Sequence, residues 1–237
     1  MGRFSAAIFG RKKLPERCLI FGGFYVPERK EWVRSFFDEW SRIKGNWVKY
    51  SFATRKGREY LLVFNVYGGA VTLELIHLLK DGEAKKVFFI GSMGGKDLPI
   101  GTLVVPTEVV DKAGLVMVYD PSKQIIKADR NSLKRLKTVL NRLGQDHVEG
   151  KIVSVPCALH KIRHVKDFIK QDVNVLGVEL ETSTFCFYSQ KEGLENYVLL
   201  YVSDNRDYDI ISQAKTVKEA RKKALKTITH IALETLD

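Results

Sequence analysis

The chain has 237 residues, of which 45% are hydrophobic and 28% charged, proportions that are ordinary for a globular protein with one large α/β core. No apolar run approaches the ~20 residues of a membrane span, and residues 1–10 hold too short an apolar stretch for a secretory signal, so we expect a cytoplasmic protein without membrane contact. The net charge of +11 is compatible with nucleic-acid binding, but there is no RNP-like, zinc-finger or helix-turn-helix pattern, which favours a solvated basic face that helps to attract an anionic substrate.

Apolar runs alternate with helical patterns along the chain. The runs predict strands at residues 19–21, 60–64, 86–90, 103–105, 109–110, 150–154, 175–180 and 197–202. Helical spacing predicts helices at residues 71–79, 132–143, 162–171, 182–192 and 216–236. This alternation predicts an α/β fold in which a mixed or mostly parallel sheet is covered on both faces, a three-layer α/β/α arrangement. We find no repeat or linker, so we expect residues 1–237 to form a single domain.

The cysteines predict neither disulfides nor a metal site. Cys18, Cys157 and Cys186 are odd in number, widely spaced and set among apolar residues. Such cysteines are typical of buried thiols in a reducing compartment. We therefore expect no structural metal.

Three carboxylates stand at the ends of apolar runs. Glu179 and Glu181 follow the run at 175–178, and Asp204 follows the run at 197–202. In an open α/β sheet the ligand crevice lies just past the carboxyl ends of such strands, so these residues are candidates for one site. Alternatively, Glu179 and Glu181 begin a helix at Thr182, where acids favour the positive end of the helix dipole, and Asp204 opens a turn.

A glycine-rich turn follows the predicted strand at 86–90. Gly91 and its neighbours allow successive backbone N–H groups to converge on an anion or a sugar, and Ser92 adds a hydroxyl. The turn matches neither a Walker sequence nor a dinucleotide fingerprint, and a plain strand-ending turn has the same pattern.

Together these segments resemble the nucleoside phosphorylase/nucleosidase superfamily, which includes purine nucleoside phosphorylases, uridine phosphorylases and methylthioadenosine/adenosylhomocysteine nucleosidases. The resemblance rests on residues 91–106, 177–183 and 202–204, in motif, order and spacing. It implies a nucleoside phosphorylase-like fold and cleavage of the N-glycosidic bond of a nucleoside, with no cofactor and with phosphate as a co-substrate if the reaction is phosphorolysis.

The resemblance also implies a ribose site. Glu181 resembles the carboxylate that binds the ribose hydroxyls, and two oxygens suit two adjacent hydroxyls. Leu180 stands where the family usually has a methionine beneath the sugar. Tyr67 stands where the family has a methionine that touches ribose, and a core tyrosine is the alternative. Glu179 is similar to a second acidic position that shapes the pocket.

The implied catalytic acid is Asp204, with Ser203 beside it. A carboxyl group in a dry pocket can donate a proton to purine N7 as the base leaves, and a uridine-type site would lack this aspartate. Purine nucleosides are therefore favoured as substrates. A salt-bridged turn with Arg206 and Asp207 is the alternative explanation for an aspartate at this position.

The implied phosphate site departs from the family. Arg29 remains from the loop that phosphorylases use for phosphate, and Gly91 and Ser92 remain from the turn. Phe89, however, stands where phosphorylases carry an arginine whose fork grips phosphate. The family's third arginine has no clear counterpart, although Lys44 or Lys49 could reach the site.

Three hypotheses for function follow. Purine nucleoside phosphorolysis to free base and ribose 1-phosphate is placed first. Hydrolysis by a nucleosidase is second, and it needs a general base, for which Glu28, Glu179 and His160 are candidates. The third is a non-catalytic member that binds a nucleoside or nucleotide. The absence of arginine at Phe89 favours the second or third, whereas the retained Arg29 and the segment after Gly101 favour the first.

The family assembles as dimers or as hexamers, so a homo-oligomer is expected. Aromatic residues are abundant near the N-terminus: Trp32, Phe36, Phe37, Trp40 and Trp47. They are compatible either with a subunit interface or with one amphipathic core helix.

Overall fold

The computed structural model describes residues 2–23, 27–157, 174–207, 212 and 214–237, with the backbone alone at residues 27–29. The strands are β1 (Arg17–Gly22), β2 (Glu39–Trp40), β3 (Lys49–Arg55), β4 (Arg58–Val66), β5 (Lys86–Gly95), β6 (Leu103–Asp111), β7 (Ile125–Lys127), β8 (Val148–Ser154), β9 (Val175–Glu179) and β10 (Glu195–Asp204). The helices are α1 (Arg3–Phe9), α2 (Pro27–Arg34), α3 (Gly69–Asp81), α4 (Arg130–Arg142), α5 (Thr182–Lys191) and α6 (Lys215–Leu236).

The strands form one mixed sheet, as predicted. β5 pairs in parallel with β1 and β10, β10 pairs with β6, β6 with β8, and β8 with β9. The last two residues of β5 then pair with β9, which closes a ring of five strands. From β1 the sheet continues through β4, β3 and β2. The β5–β9 and β10–β6 pairings are antiparallel, and the last residues of β5 and β10 lie beside the carboxyl half of β9.

Helices cover both faces of the sheet, which confirms the three-layer prediction. Side chains alternate between faces along a strand. In β1, Cys18 and Ile20 belong to the core cluster that contains the buried residues of α1, α3 and α5. Leu19 and Phe21 belong to the second cluster, with buried residues of α2, α4 and α6.

The structure differs from the predicted elements at β6, and it adds α1, α2, β2, β3 and β7, which were not predicted. Residues 103–111 form one strand rather than two, with a register shift between Pro106 and Glu108 where the proline is accommodated. β3 was not predicted, because it holds no continuous apolar run. It pairs with β4 through a turn in which Lys56 and Gly57 both have positive φ, as in the type I′ turns of hairpins. The predicted helix at 162–171 lies outside the described residues.

The N-terminal aromatic residues do not lie on one helix, so that alternative is wrong. α2 ends at Arg34, and Trp40 lies in β2. Trp47 is 39% exposed, whereas the other aromatic residues of this group pack against the second core cluster. Their proposed role in a subunit interface stays a prediction.

The prediction of three buried thiols is correct for two. Cys18 and Cys186 are buried, but Cys157, which follows the end of β8, is exposed. Burial raises the pKa of the Cys18 thiol far above its usual range.

In the part of the chain that is described, no helix is long and apolar enough to cross a membrane.

Candidate active site

The sheet brings the predicted catalytic and ribose segments together. Asp204, at the end of β10, pairs with Gly94 of β5, and Gly94 pairs on its other side with Val178 of β9. Neighbouring strands lie ~4.8 Å apart, so Asp204 and Val178 are at most about 10 Å apart across Gly94. A nucleoside spans a comparable distance from base to sugar. Asp204 and the residues after Val178 can therefore contact one nucleoside.

Glu181 lies in the short connection between β9 and α5 and is 4% exposed. Its Oε1 accepts a hydrogen bond of 2.7 Å from the backbone N–H of Gly68, which precedes α3. Gly68 has φ 82° and ψ 161°, a conformation that is essentially restricted to glycine. The starts of two helices thus fix the direction of the Glu181 carboxylate.

Leu180 and Tyr67 lie on the same side of the candidate site. Leu180 belongs to a small buried cluster with residues of β8 and β9, and the half-buried Tyr67 packs against that cluster. The structure thus brings together the two apolar residues that were predicted to touch ribose. The contact with the sugar itself stays a prediction.

Glu179 makes the helix-start contacts that were considered as the alternative. Its Oε2 accepts hydrogen bonds from the N–H groups of Glu181 and Thr182 at 2.7 and 2.8 Å, and the Ser154 hydroxyl donates to Oε1. Burial raises the pKa of Glu179 above its ordinary value, and these hydrogen bonds oppose the shift. The carboxyl group therefore supports the start of α5, and a direct contact with ribose stays a prediction.

Ser203 and Asp204 form a hydrogen-bonded pair at the end of β10. The Ser203 hydroxyl lies 2.7 Å from Asp204 Oδ1 and 3.2 Å from the Met93 carbonyl oxygen. The Ser203 carbonyl accepts a 2.8 Å hydrogen bond from Arg221 Nε. Asp204 itself is half-buried, as suits a proton donor that must meet a substrate.

The residues after Asp204 border an open pocket. Arg206 and Asp207 pair at 3.9 Å with side chains 88% and 70% exposed, so the salt-bridged turn considered above is a surface feature. Asn205 donates to the Leu98 carbonyl at 3.0 Å. These residues line a pocket of about 550 Å³ together with the first turns of α6. Residues 158–173 and 208–211 lie outside the residues that the structure describes.

Phe89 occupies the position of the missing phosphate arginine. Its side chain is fully buried, and its ring centroid lies 5.2 Å from that of Phe185. A Cβ atom at Gly22 or at Gly91 would lie 2.5 or 2.7 Å from the Phe89 ring. The ring therefore fills the space over the end of β1 and over the glycine turn, where the lack of a Cβ atom at both glycines leaves room for it.

The structure describes the other predicted phosphate residues only in part. Ser92 is half-buried and Gly91 is buried at the end of the apolar part of β5. Lys49 donates to the Gly45 carbonyl at 2.7 Å. The side chains of Arg29 and Glu28, and all of His160, lie outside the described structure. Their phosphate-binding and base roles stay predictions.

Sequence reasoning missed several polar residues that support the site. Asp111 and Ser154 are buried at the ends of β6 and β8, and Ser183 is buried in the first turn of α5. The available signal was the same as for Asp204, a polar residue that closes an apolar run. The same signal applies to Asp111 and Ser154, which close the apolar runs of β6 and β8.

Comparisons with known proteins identify the family of this chain. A sequence model described as the phosphorylase superfamily matches residues 48–237. An aminodeoxyfutalosine nucleosidase of Helicobacter pylori strain J99 is 31% identical over 145 residues, which are 57% of this chain and 63% of the relative. The match thus spans less than two thirds of that relative.

Solved structures share the fold. A uridine phosphorylase from Vibrio fischeri ES114 superposes with a TM-score of 0.80 at 19% identity, over 94% of this chain and 92% of its own. The 5′-methylthioadenosine/S-adenosyl homocysteine nucleosidase of Campylobacter jejuni gives 0.71 at 17% identity, over 92% and 97%. With the sequence model covering most of its length, the chain belongs to the phosphorylase superfamily.

Proposed function

We propose that this protein is a nucleosidase that hydrolyses the N-glycosidic bond of purine nucleosides. The observation that carries the proposal is the burial of Phe89 where phosphorylases carry an arginine. Phosphate is a multiply charged nucleophile, and its attack needs cationic groups around it. A phenyl ring offers no cationic group. Water, in contrast, is neutral, so its attack needs only a general base and a confined position.

Asp204 and Glu181 have separate roles in the proposed reaction. Asp204 donates a proton to the purine as the bond breaks, which turns the base into a neutral leaving group. Glu181 binds the ribose hydroxyls, and its negative charge favours the oxocarbenium-like sugar of the transition state. Water attacks the anomeric carbon, and Glu28 and His160 are the candidates for the base that accepts its proton.

The matched relative supports hydrolysis at the level of reaction type. The Helicobacter pylori protein that is 31% identical is named a nucleosidase. Aminodeoxyfutalosine is its substrate by name, and we propose only that the present chain shares the hydrolytic chemistry. Asp204 supports a purine-type base rather than uracil.

Phosphorolysis is the second candidate. The retained Ser92 and Gly91, together with Arg29, favour it, because backbone N–H groups and a hydroxyl can bind an anion. A weak phosphate site of this kind would give a phosphorylase with a high KM for phosphate. Under either reaction we expect a cytoplasmic homo-oligomer without a cofactor.

A screen of nucleosides for base release tests the proposed function. Adenosine, inosine, guanosine, 5′-substituted adenosines and uridine are each incubated with the protein, with and without phosphate. We expect release of purine bases in phosphate-free buffer and no release of uracil. Preferential release of uracil would contradict the role of Asp204, and no release from any nucleoside would leave a binding protein.

A further inference from the structure

Three buried polar residues form a row across the carboxyl ends of neighbouring strands. Asp111 of β6 pairs in register with Ser154 of β8, and Ser154 pairs with Glu179 of β9. They are 3%, 0% and 2% exposed. Residues at one register position of parallel strands direct their side chains to the same face of a sheet. Buried polar groups need partners, so the row must be satisfied from within the protein.

The row binds the start of α5. Glu179 Oε2 accepts from the N–H groups of Glu181 and Thr182 at 2.7 and 2.8 Å. Ser154 donates its hydroxyl proton to Glu179, and its Oγ accepts from the N–H of Ser183 at 2.9 Å. Three successive N–H groups, which a helix leaves without intrahelical partners, are thus held by two side chains.

Asp111 completes the arrangement from the other side. Its Oδ1 accepts from the Ser183 hydroxyl at 2.8 Å, and its Oδ2 accepts from the N–H of Val116 at 3.2 Å. Asp111 thereby connects the first turn of α5 to the segment after β6. The backbone around Glu181 is fixed both by its own strand and by a neighbouring one.

We propose that Asp111, Ser154, Glu179 and Ser183 form a clamp that positions Glu181 for its contact with ribose. The inference rests on the proposed function insofar as Glu181 is the ribose-binding carboxylate. A small displacement of a group that binds the transition state costs much of its effect, so residues that fix its backbone act through it. The clamp also assigns Glu179 as a positioning residue and not as the general base.

Substitutions at Glu179 separate these two roles. In Glu179→Gln the amide oxygen can still accept from both N–H groups, so kcat should stay within about tenfold of wild type, whereas a lost general base would cost ~10²–10⁴-fold. Glu179→Leu, which removes both acceptors, should lower kcat/KM by about a hundredfold. A Gln variant as impaired as the Leu variant would overturn the positioning role.

Ser154→Ala tests whether the clamp acts through Glu181. A displaced Glu181 should weaken binding of the ribose hydroxyls, so kcat/KM for adenosine should fall about tenfold and that for 2′-deoxyadenosine by less than about threefold. Ser189 provides the control, since it is a buried serine of α5 whose hydroxyl has no hydrogen-bond partner among the described residues. Ser189→Ala should leave the ratio unchanged. An equal fall for both nucleosides in Ser154→Ala would overturn the proposal.

Hydrogen exchange tests the clamp without any substrate. In the free protein, Ser154→Ala should speed exchange of the Ser183 amide by about tenfold, because a hydrogen bond worth about 1.4 kcal/mol no longer holds it. Ser189→Ala should not. Unchanged exchange in Ser154→Ala would overturn the clamp even if nucleosides are cleaved. Failure of the wild type to cleave any nucleoside would contradict the proposed function, while faster exchange would still support the clamp.

Discussion

Acidic residues cluster at both ends of the sheet, but their partners differ. At the amino ends of β1 and β4, Glu234 and Asp237 of the α6 terminus pair with Arg55, and Arg58 also lies 3.1 Å from Asp237. The hydrogen bond from Arg55 lowers the pKa of Glu234. At the carboxyl ends, Glu179 accepts from backbone N–H groups and a hydroxyl, and burial raises its pKa.

The difference indicates what each cluster is for. Carboxylates that are neutralised by arginine hold a helix terminus against the sheet and are suited to stability. A carboxyl group that accepts hydrogen bonds from N–H groups and a hydroxyl, as Glu179 does, holds the segment that carries Glu181 and is suited to positioning. We therefore expect substitutions of the acidic residues at the carboxyl ends to change activity more than stability, and substitutions of the charged residues at the amino ends to do the reverse.

The largest effect is expected at Asp204. Asp204→Asn removes the proton donor and keeps the shape, so kcat/KM for purine nucleosides should fall ~10³-fold, about 4 kcal/mol, with nucleoside binding retained within about tenfold. Steady-state kinetics and calorimetric titration measure the two quantities. Asp207→Asn, at a side chain that is 70% exposed, is the matched control. Undiminished turnover of Asp204→Asn would refute the assigned role.

The second effect in size is expected for Glu181→Ala. Loss of a charge-assisted pair of hydrogen bonds to ribose should cost about 3 kcal/mol in transition-state stabilisation, roughly a hundredfold in kcat/KM. Glu74→Ala, at an exposed position of α3, should have no effect. If ribosides and 2′-deoxyribosides were cleaved equally well by wild type and the Ala variant had only a mild defect, Glu181 would not be the ribose carboxylate.

Phe89→Arg should destabilise the protein, because it places an arginine in apolar surroundings. Phe89→Arg buries a cation among Phe185, Gly22 and Gly91, which should lower the free energy of unfolding by about 3 kcal/mol or more. Phe89→Leu, which keeps the site apolar, should cost about 1.5 kcal/mol. Urea unfolding measures both. A stable Phe89→Arg variant with a lowered KM for phosphate would indicate a latent phosphate site and contradict our interpretation of Phe89.

Arg55→Ala should give a smaller change than Phe89→Arg, and one confined to stability. The substitution removes one ion-pair partner from each of Glu234 and Asp237. The free energy of unfolding should therefore fall by about 2 kcal/mol at pH 7, with kcat unchanged. The pair lowers the pKa of Glu234, so its contribution is present above the ordinary value of 4.5 and is lost as the pH falls through the lowered value. Wild type and variant should converge at low pH. A difference that persists there would contradict the ion-pair explanation.

Much of the fold was predictable because apolar runs and helical spacing are local signals. Residues 197–202 and 216–236 were predicted close to the bounds of β10 and α6. β3 was missed because its burial on one side depends on β4 and not on its own composition. Two strands were predicted within β6 because Pro106 interrupts the run, whereas a register shift keeps the pairing.

The site was predictable only where a motif carried it. Glu181 and Asp204 stand within segments that resemble the family, but Asp111, Ser154 and Gly68 are brought to Glu179 and Glu181 by strand register and by a hydrogen bond across the sheet. Such long-range pairing leaves no local trace in the sequence. Phe89 could be recognised as a missing arginine, but its fit over Gly22 and Gly91 required the packed structure.

We propose that the site around Glu181 and Asp204 cleaves a purine nucleoside with water. The most direct test is the identity of the sugar product, ribose or ribose 1-phosphate, formed by wild type at several phosphate concentrations, with Asp204→Asn as the control for contaminating activity. We predict that wild type forms free ribose at a rate that does not depend on phosphate, and that the Asp204→Asn variant forms none. Formation of ribose 1-phosphate, with a rate that rises with phosphate, would contradict it.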